Sequence, residues 1–310
     1  HGGKEVAHFC AEHLPEELGR GSPKDLPTSL HEAFLRMDER LSEPCGWEEL
    51  QAMSEESPDS RRPVDPDYMG CTALVACVRS QVMVVANAGD CRAVLCRGGR
   101  AINLSEDHKP DLPRELSRIS AAGGNVQRRS SGPIVSHRIN GHLNLSRALG
   151  DLVYKRNVDL SPSEQMVSAT PDIVVIERHP DDEFLLLACD GVWDVLGSQE
   201  AVDYVRGRLP SAKSSHCPLS VVMEELLDRC LSPDLASTHG LGGDNMTAII
   251  VLLNRSAFSG SKPSPTTSSN ELMERDTFPA PELICSSGCW AWVSALGFSQ
   301  MLPVLTKSVW

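Results

Sequence analysis

An α+β fold, with two antiparallel sheets covered by helices, follows from three features of the sequence. Apolar segments of strand length come in runs separated by turn residues. Amphipathic helical segments stand apart from those runs. The two kinds do not alternate one for one, as a parallel βαβ sheet would require.

The elements follow in chain order. The first 50 residues read as helical; in "TSLHEAFLRMDERL" the residues Leu30, Phe34, Met37 and Leu41 share one face, and Thr28 or Ser29 is placed to cap the start. Residues 52–68 are polar, proline-containing and almost free of apolar anchors, which predicts a loop or flexible insert. Then "CTALVACV", "QVMVVANA" and "CRAVLCR", broken at Arg79-Ser80, Gly89-Asp90 and Gly98-Gly99, predict an antiparallel meander joined by tight turns. Asn140-Gly141 in "PIVSHRINGHLNLS" is a hairpin signal. Residues 151–171 are irregular and polar, after which "DIVVIER" and "EFLLLAC" resume as strands. "SQEAVDYVRGRL" is an amphipathic helix with Ser198 as its cap, "LSVVMEELLDRCL" another helix, and "MTAIIVLL" a last buried strand.

Beyond Arg255 the composition turns Ser/Pro-rich, which predicts a disordered linker over 256–281. The tail 282–310 is apolar, but serines, glycines and a proline weaken it as a span of the ~20 apolar residues a bilayer needs. The expected organisation is therefore one domain over 1–255, a linker, and a tail of unassigned role. With 310 residues, 41% of them apolar, the chain can build a large core. A net charge of −13 argues against direct nucleic-acid binding and against anionic membrane surfaces. Eleven cysteines without a C-x-x-C pair argue against a zinc ribbon or redox dithiol and for a reducing compartment such as the cytoplasm.

Three aspartates carry the chemistry. Asp190 ends the apolar run "LLLAC" and is followed by Gly191; Asp244 follows two glycines just before the last strand; Asp90 follows Gly89 between two strands. Taken singly, each reads as a turn former. Taken together, they are anionic groups that a sheet sandwich can gather at one rim, where they repel unless cations stand between them. Oxygen ligands of this kind suit Mg²⁺ or Mn²⁺, and Mg²⁺ keeps several waters, so few carboxylates suffice.

The stretches "LLLACDGVWDVL", "GGDNMTAIIV", "NAGDCRAVLCRGGRAINLSEDHKP" and "LNLSRALGD" resemble motifs of the metal-dependent protein serine/threonine phosphatases of the 2C type, in order from His1 to about Arg255. "YKRNVDLSPSEQMVSATPDI" and "CLSPD" resemble the gamma subgroup. The resemblance implies an α/β/β/α sandwich with Asp190 and Asp244 on a catalytic metal pair and Asp90 helping to hold a further, looser metal. That makes two or three Mg²⁺ or Mn²⁺ ions. "HGG" resembles the end of the family's Asp-Gly-His-Gly-Gly motif, which makes His1 the general acid; outside the resemblance His1 reads as a surface histidine. Residues 151–171 resemble the flap beside the active site. The Asp and Gly of that motif, and an earlier segment with a further metal ligand and a phosphate-binding arginine, have no counterpart before His1. The expectation is that the chain as given is weakly active or inactive and that an upstream segment ending in Asp-Gly restores turnover.

The implied reaction is hydrolysis of phosphoserine and phosphothreonine in proteins by a metal-activated water, with the protein a monomer. Arg147 and Asp151 are expected to support the cluster or flap, and Trp193 and Asp194 to pack and cap the segment after Asp190. A haloacid-dehalogenase phosphatase needs Asp-x-Asp, whereas this motif has Asp190-Gly191-Val192. An α/β-hydrolase needs a G-x-S-x-G elbow, which the sequence lacks. The remaining rival is a non-catalytic module that binds phosphoproteins; retention of Asp90, Asp190 and Asp244 argues against it.

Overall fold

The structure is a computed structural model and describes residues 1–55, 65–209, 219–254, 289–295 and 305–309. Helices α1 (Glu5–Arg20), α2 (Leu26–Ser42) and α3 (Pro44–Glu55) come first. Strands β1 (Gly70–Val78), β2 (Val82–Ala88), β3 (Arg92–Arg97) and β4 (Arg100–Asn103) follow, then α4 (Pro113–Ala121), β5 (Val126–Ser131), β6 (Ile134–Ile139) and β7 (Leu149–Gly150). The rest comprises β8 (Asp172–Glu177), β9 (Asp182–Ala188), α5 (Asp190–Trp193), α6 (Ser198–Arg208), α7 (Leu219–Cys230), β10 (Met246–Leu252), β11 (Cys289–Ala295) and β12 (Leu305–Val309).

Two sheets stack face to face. One has the order β11-β1-β2-β8, with β7 also on β1; the other runs β12-β10-β9-β3-β4. Period-2 alternation divides each strand between two cores. On β1, Cys71, Ala73, Val75 and Cys77 pack with α1 and α2, while Leu74, Ala76 and Val78 face the second sheet. On β9, Leu185 and Leu187 meet that inter-sheet core, while Phe184, Leu186 and Ala188 pack with α6 and α7. Three apolar layers between four structural ones give the α/β/β/α sandwich.

The meander expected over β1, β2 and β3 is corrected. β1 pairs with β2, but β3 pairs with β9 and β4 in the opposite sheet. The chain crosses between sheets at Gly89-Asp90, because β2 and β3 are each apolar on both faces and each is an interior strand of a different sheet. The hairpin is also displaced. β5 and β6 join through Gly132-Pro133, and Asn140-Gly141 forms a second tight turn, both residues at positive φ, closed by a bridge between Ile139 and Leu143.

Two caps differ as well. Asp25 accepts from the Thr28 amide at 3.2 Å at the start of α2, while Ser29 Oγ turns back to the Ser22 and Asp25 carbonyls. On α6 the cap position is Gly197, whose amide donates to Glu200 at 2.8 Å, and the Ser198 hydroxyl accepts from Arg92 instead.

α3 extends the N-terminal helices to Glu55, and the centre of the expected insert, 56–64, lies outside the described residues. So does the expected linker over 256–281. In the tail, β11 adds to the first sheet parallel to β1, the one parallel strand pair of that sheet among the described residues, and β12 adds to the second antiparallel to β10. Among the described residues no helix is long and apolar enough to cross a membrane, and Cys10, Cys45, Cys71, Cys77, Cys91, Cys96, Cys189 and Cys230 are free thiols.

Candidate metal centre

The register of the second sheet decides where the aspartates go. Ala188 on β9 lies across from Arg92 on β3 and from Ala248 on β10. Both neighbours run antiparallel to β9, so Asp90 before Arg92, Asp190 after Ala188 and Asp244 before Ala248 all leave the sheet at one end.

Close backbone approaches hold these turns together. A Cβ on Gly191 would run into the Asn245 carbonyl oxygen and come within 3.1 Å of Met246 Cγ, so only glycine lets α5 sit against the loop carrying Asp244. The Cys189 amide donates to the Thr247 carbonyl at 3.1 Å, and the Thr247 amide to Cys189 Sγ at 3.1 Å. On the other side, Gly89 has φ +128° and abuts Thr72, a conformation and a fit that exclude a side chain. The Gly89 amide donates to His108 Nδ1 at 3.0 Å, and the His108 amide returns to the Gly89 carbonyl. That clasp draws the 106–109 loop against Asp90.

Lys109 arrives by this route, its Nζ donating to Asp90 Oδ2 at 2.6 Å. Burial works against the ammonium, but Asp90, and then Asp194 and Asp190, overcome it and hold the lysine well above its ordinary pKa. The Asp194 carboxyl is pushed up by the protein crowded around it, even though the residue reaches solvent, and by the charges of Asp90, Asp244 and Asp107, with Lys109 opposing. Asp107 is itself gripped by Arg92 through bonds of 2.9 and 2.7 Å. The Arg92 guanidinium lies 5.1 Å from the centre of the Trp193 ring, whose Nε1 donates to the Ala188 carbonyl. Trp193 packs as expected.

Asp90, Asp190, Asp194 and Asp244 therefore share one electrostatic field with Lys109 as its cation. Four carboxylates against the Lys109 ammonium and the Arg92 guanidinium, which also feels Asp194, leave an excess of negative charge that a hard divalent cation relieves. The all-oxygen donor chemistry fits Mg²⁺ or Mn²⁺, although among the described residues no three of these carboxylates bring oxygens within 4.8 Å of one another. Sequence reasoning assigned Asp194 to packing, although its spacing of four from Asp190 puts both on one side of a helical turn. Lys109 had no local signal, because the His108–Gly89 clasp brings it in.

His1 takes a different partner. Its Nε2 is 2.6 Å from Asp151 Oδ2, with the imidazole 32% exposed and the carboxylate 2%. Burial pushes the Asp151 carboxyl up to about 6, against the pull of Lys155. Asp151 sits at φ +52° in the left-handed region, and its amide donates to the Met69 carbonyl at 2.7 Å. Gly70 next to it cannot carry a side chain, because a Cβ there would strike the Asp151 carboxylate. Behind this pair, Lys155 Nζ donates to Asp38 at 2.5 Å and to the Ala148 carbonyl at 2.7 Å.

Arg147 has the supporting role expected of it. It donates to Glu115 at 2.7 Å, to Asp172 at 2.8 Å and to the Thr170 carbonyl at 3.0 Å. Glu115 is fully buried and also receives Arg118 at 2.5 Å and the Ser146 hydroxyl at 2.7 Å. Burial would raise its pKa, but Arg147 and Arg118 bring it down to about 2. The network ties α4 to Ser146 and Arg147 ahead of segment 151–171 and to Gln165 and Thr170 within it.

The family model described as "Protein phosphatase 2C" matches residues 1–238. "Probable protein phosphatase 2C 11" of Oryza sativa subsp. japonica is 43% identical over 283 residues, covering 81% of this chain and 74% of its own. "Protein phosphatase 2C 1" of Paramecium tetraurelia is 43% identical over 258 residues, covering 82% and 81%. A crystal structure of a phosphatase from Toxoplasma gondii superposes with a TM-score of 0.55 at 26% identity, covering 74% of this chain and 77% of that one. The chain belongs to the protein phosphatase 2C family, the Mg²⁺- or Mn²⁺-dependent protein serine/threonine phosphatases.

Proposed function

We propose that this phosphatase works through Asp90, Asp190, Asp194 and Asp244 as ligands of two or three Mg²⁺ or Mn²⁺ ions and through His1 as the proton donor, on phosphoserine and phosphothreonine of proteins. The single observation that carries the reading is the register of β3, β9 and β10, which sends these aspartates out of one sheet end around a single lysine.

A phosphate monoester is dianionic, and a bare carboxylate cluster would repel it. Bound Mg²⁺ or Mn²⁺ supplies the missing positive charge and a water acidic enough to attack at neutral pH. The chain's part is to hold the aspartates at fixed separation and to supply a proton. The Asp151 carboxylate anchors His1 at Nε2, which leaves Nδ1 to protonate the departing serine or threonine oxygen. Such a proton transfer is worth about 10²- to 10⁴-fold. The Arg147–Glu115–Arg118 network keeps segment 151–171 in place beside it.

A gamma-subgroup relationship is supported by the 154–173 stretch. The test is Mn²⁺-dependent hydrolysis of a phosphothreonine peptide, with the chain and with the chain extended upstream by a segment ending in Asp-Gly, beside Asp190→Asn. The expected result is metal-dependent turnover, weak in the chain and restored in the extended chain, that falls about 10²- to 10³-fold in Asp190→Asn, the size of effect produced by losing one preorganised electrostatic group at a reacting centre. Binding of the peptide without turnover in either chain moves the reading to a non-catalytic phosphoprotein-binding module.

A further inference from the structure

Behind His1 and Asp151 lie two buried charged groups, Asp38 near the end of α2 and Lys155 in segment 151–171, which pair at 2.5 Å. Their side chains are only 17% and 8% exposed. The placement is costly. Burial, and after it the charge of Asp151, pushes the Asp38 carboxyl up in pKa, with Lys155 and the Gly150 amide opposing. The C-terminal end of a helix also disfavours an acid. A buried ion pair is often no more stable than an apolar pair of the same shape, so stability alone does not account for this one.

What the pair holds is a turn. Asp38 Oδ1 accepts from the Gly150 amide at 2.9 Å, and Lys155 Nζ, bonded to Asp38 Oδ2, also donates to the Ala148 carbonyl at 2.7 Å. Within that span Gly150 at φ +79° and Asp151 at φ +52° are both left-handed. A non-glycine residue persists in that region only where its surroundings fix it. Asp38 fixes the turn from α2, and the Met69 carbonyl, accepting from the Asp151 amide at 2.7 Å, fixes it from the head of β1. Gly150 carries no side chain here, because a Cβ would meet the Met69 carbonyl oxygen.

The Asp151 carboxylate leaves this turn to reach His1 Nε2 at 2.6 Å. Lys155 works against the burial of Asp151 and so favours the carboxylate form, the one that accepts from the imidazole N–H.

We infer that Asp38 and Lys155 are positioning residues for the proton donor: they fix the Gly150–Asp151 turn, and with it the carboxylate on His1 Nε2, and so set the rate on substrates whose leaving oxygen must be protonated. Serine and threonine of proteins are such leaving groups. The inference rests on the proposed role of His1. It places a determinant of peptide turnover on α2, outside the metal centre.

The experiment compares kcat on a phosphothreonine peptide and on nitrophenyl phosphate, with Mn²⁺, for the unaltered chain, Asp38→Asn and Asp38→Leu/Lys155→Met. Nitrophenolate leaves without a proton, so its turnover reports the metal centre alone. The double variant leaves no unpaired buried charge and should keep a Tm close to that of the unaltered chain, which separates positioning from folding. In both variants kcat on the peptide should fall about 10- to 100-fold, while nitrophenyl phosphate turnover and the Mn²⁺ needed for half-activity change by less than about threefold. Equal losses on the two substrates, or an unchanged peptide kcat in the double variant, overturn the inference. Nitrogen NMR of the His1 imidazole, identified by its loss in His1→Gln, reads the same anchoring without turnover. Above neutral pH the unaltered chain should show one tautomer, with its proton on Nε2, and the double variant a mixture of two. A single tautomer in both overturns the inference. Absence of nitrophenyl phosphate turnover in the unaltered and upstream-extended chains counts instead against the metal-centre reading. Equal losses on both substrates in His1→Gln count against His1 as the proton donor, with the NMR comparison still deciding what Asp38 and Lys155 hold.

Discussion

Replacing Gly191 by alanine sets two energies of opposite sign against each other. Gly191 lies in α5 with an ordinary backbone, so helix propensity alone favours alanine by about 1 kcal/mol. The new Cβ, however, collides with the Asn245 carbonyl oxygen and comes within 3.1 Å of Met246 Cγ and 3.2 Å of the Asn245 carbonyl carbon. Relief requires the 244–246 backbone to retreat by roughly 1 Å, since carbon contacts are favourable only beyond about 3.5 Å. That backbone is not free to move, because Cys189 bonds to Asn245 at 3.3 Å and to Thr247 at 3.1 Å. Overpacking of this kind costs about 1–3 kcal/mol, which leaves a net loss of up to about 2 kcal/mol. For a domain of this size the corresponding fall in Tm is up to about 8 °C. A shift of about 1 Å between Asp190 and Asp244 should also lower phosphatase turnover about 100-fold and raise the Mn²⁺ concentration needed for half-activity. Calorimetry and a Mn²⁺ titration read both effects. Gly207→Ala in α6 is the control: nothing lies within 4 Å of its Cβ position, so it should be neutral or stabilising. A Gly191→Ala protein as stable and as active as the parent would refute the claim that this glycine sets the spacing of the two aspartates.

Other perturbations follow from the same contacts. Glu115→Gln leaves Arg147 and Arg118 facing a neutral group in a buried site, and equilibrium urea unfolding at pH 7 should show a loss of about 3–5 kcal/mol. The Glu115 carboxyl titrates at about 2 in the fold against 4.5 ordinarily, so its contribution is complete above pH 4.5 and is lost as pH falls from 4.5 toward 2. Unfolding across that window should lose up to about 3 kcal/mol in the parent, and this loss should flatten in Glu115→Gln. Lys109→Gln removes the cation 2.6 Å from Asp90, so the Tm without metal should fall while the Tm gained on adding millimolar Mn²⁺ should grow. An unchanged metal-dependent gain would show that Lys109 does not compete with the ions. Asp151→Asn should reduce kcat on peptide substrates more than on aryl phosphates, whose leaving oxygen needs less protonation; equal losses would point to a purely structural role.

Much of the fold is legible in local pattern. The apolar faces of α2 and α6, the short strands of β1, β2, β3, β9 and β10, and glycines beside each aspartate are all visible in single stretches of sequence. The partnering of strands is not. Nothing in "QVMVVANAGDCRAVLCR" distinguishes a hairpin from a crossover, because both outcomes bury the same alternating residues; β2 and β3 separate because β8 and β9 compete for their edges. The caps were misplaced by one to four residues for a related reason. Ser198 was a suitable cap by type, but Arg92, distant in sequence, takes its hydroxyl.

The sequence by itself determined the residue types of the site, aspartates at strand ends next to glycines, since that chemistry depends on identity and local spacing. Tertiary structure alone decided that Asp194 and Lys109 share the field of Asp90, Asp190 and Asp244, and that His1 is held by Asp151. Each of those arrangements joins groups separated along the chain. Such pairings arise when sheet register and loop clasps bring distant backbone together, and electrostatic interaction depends on that distance in space.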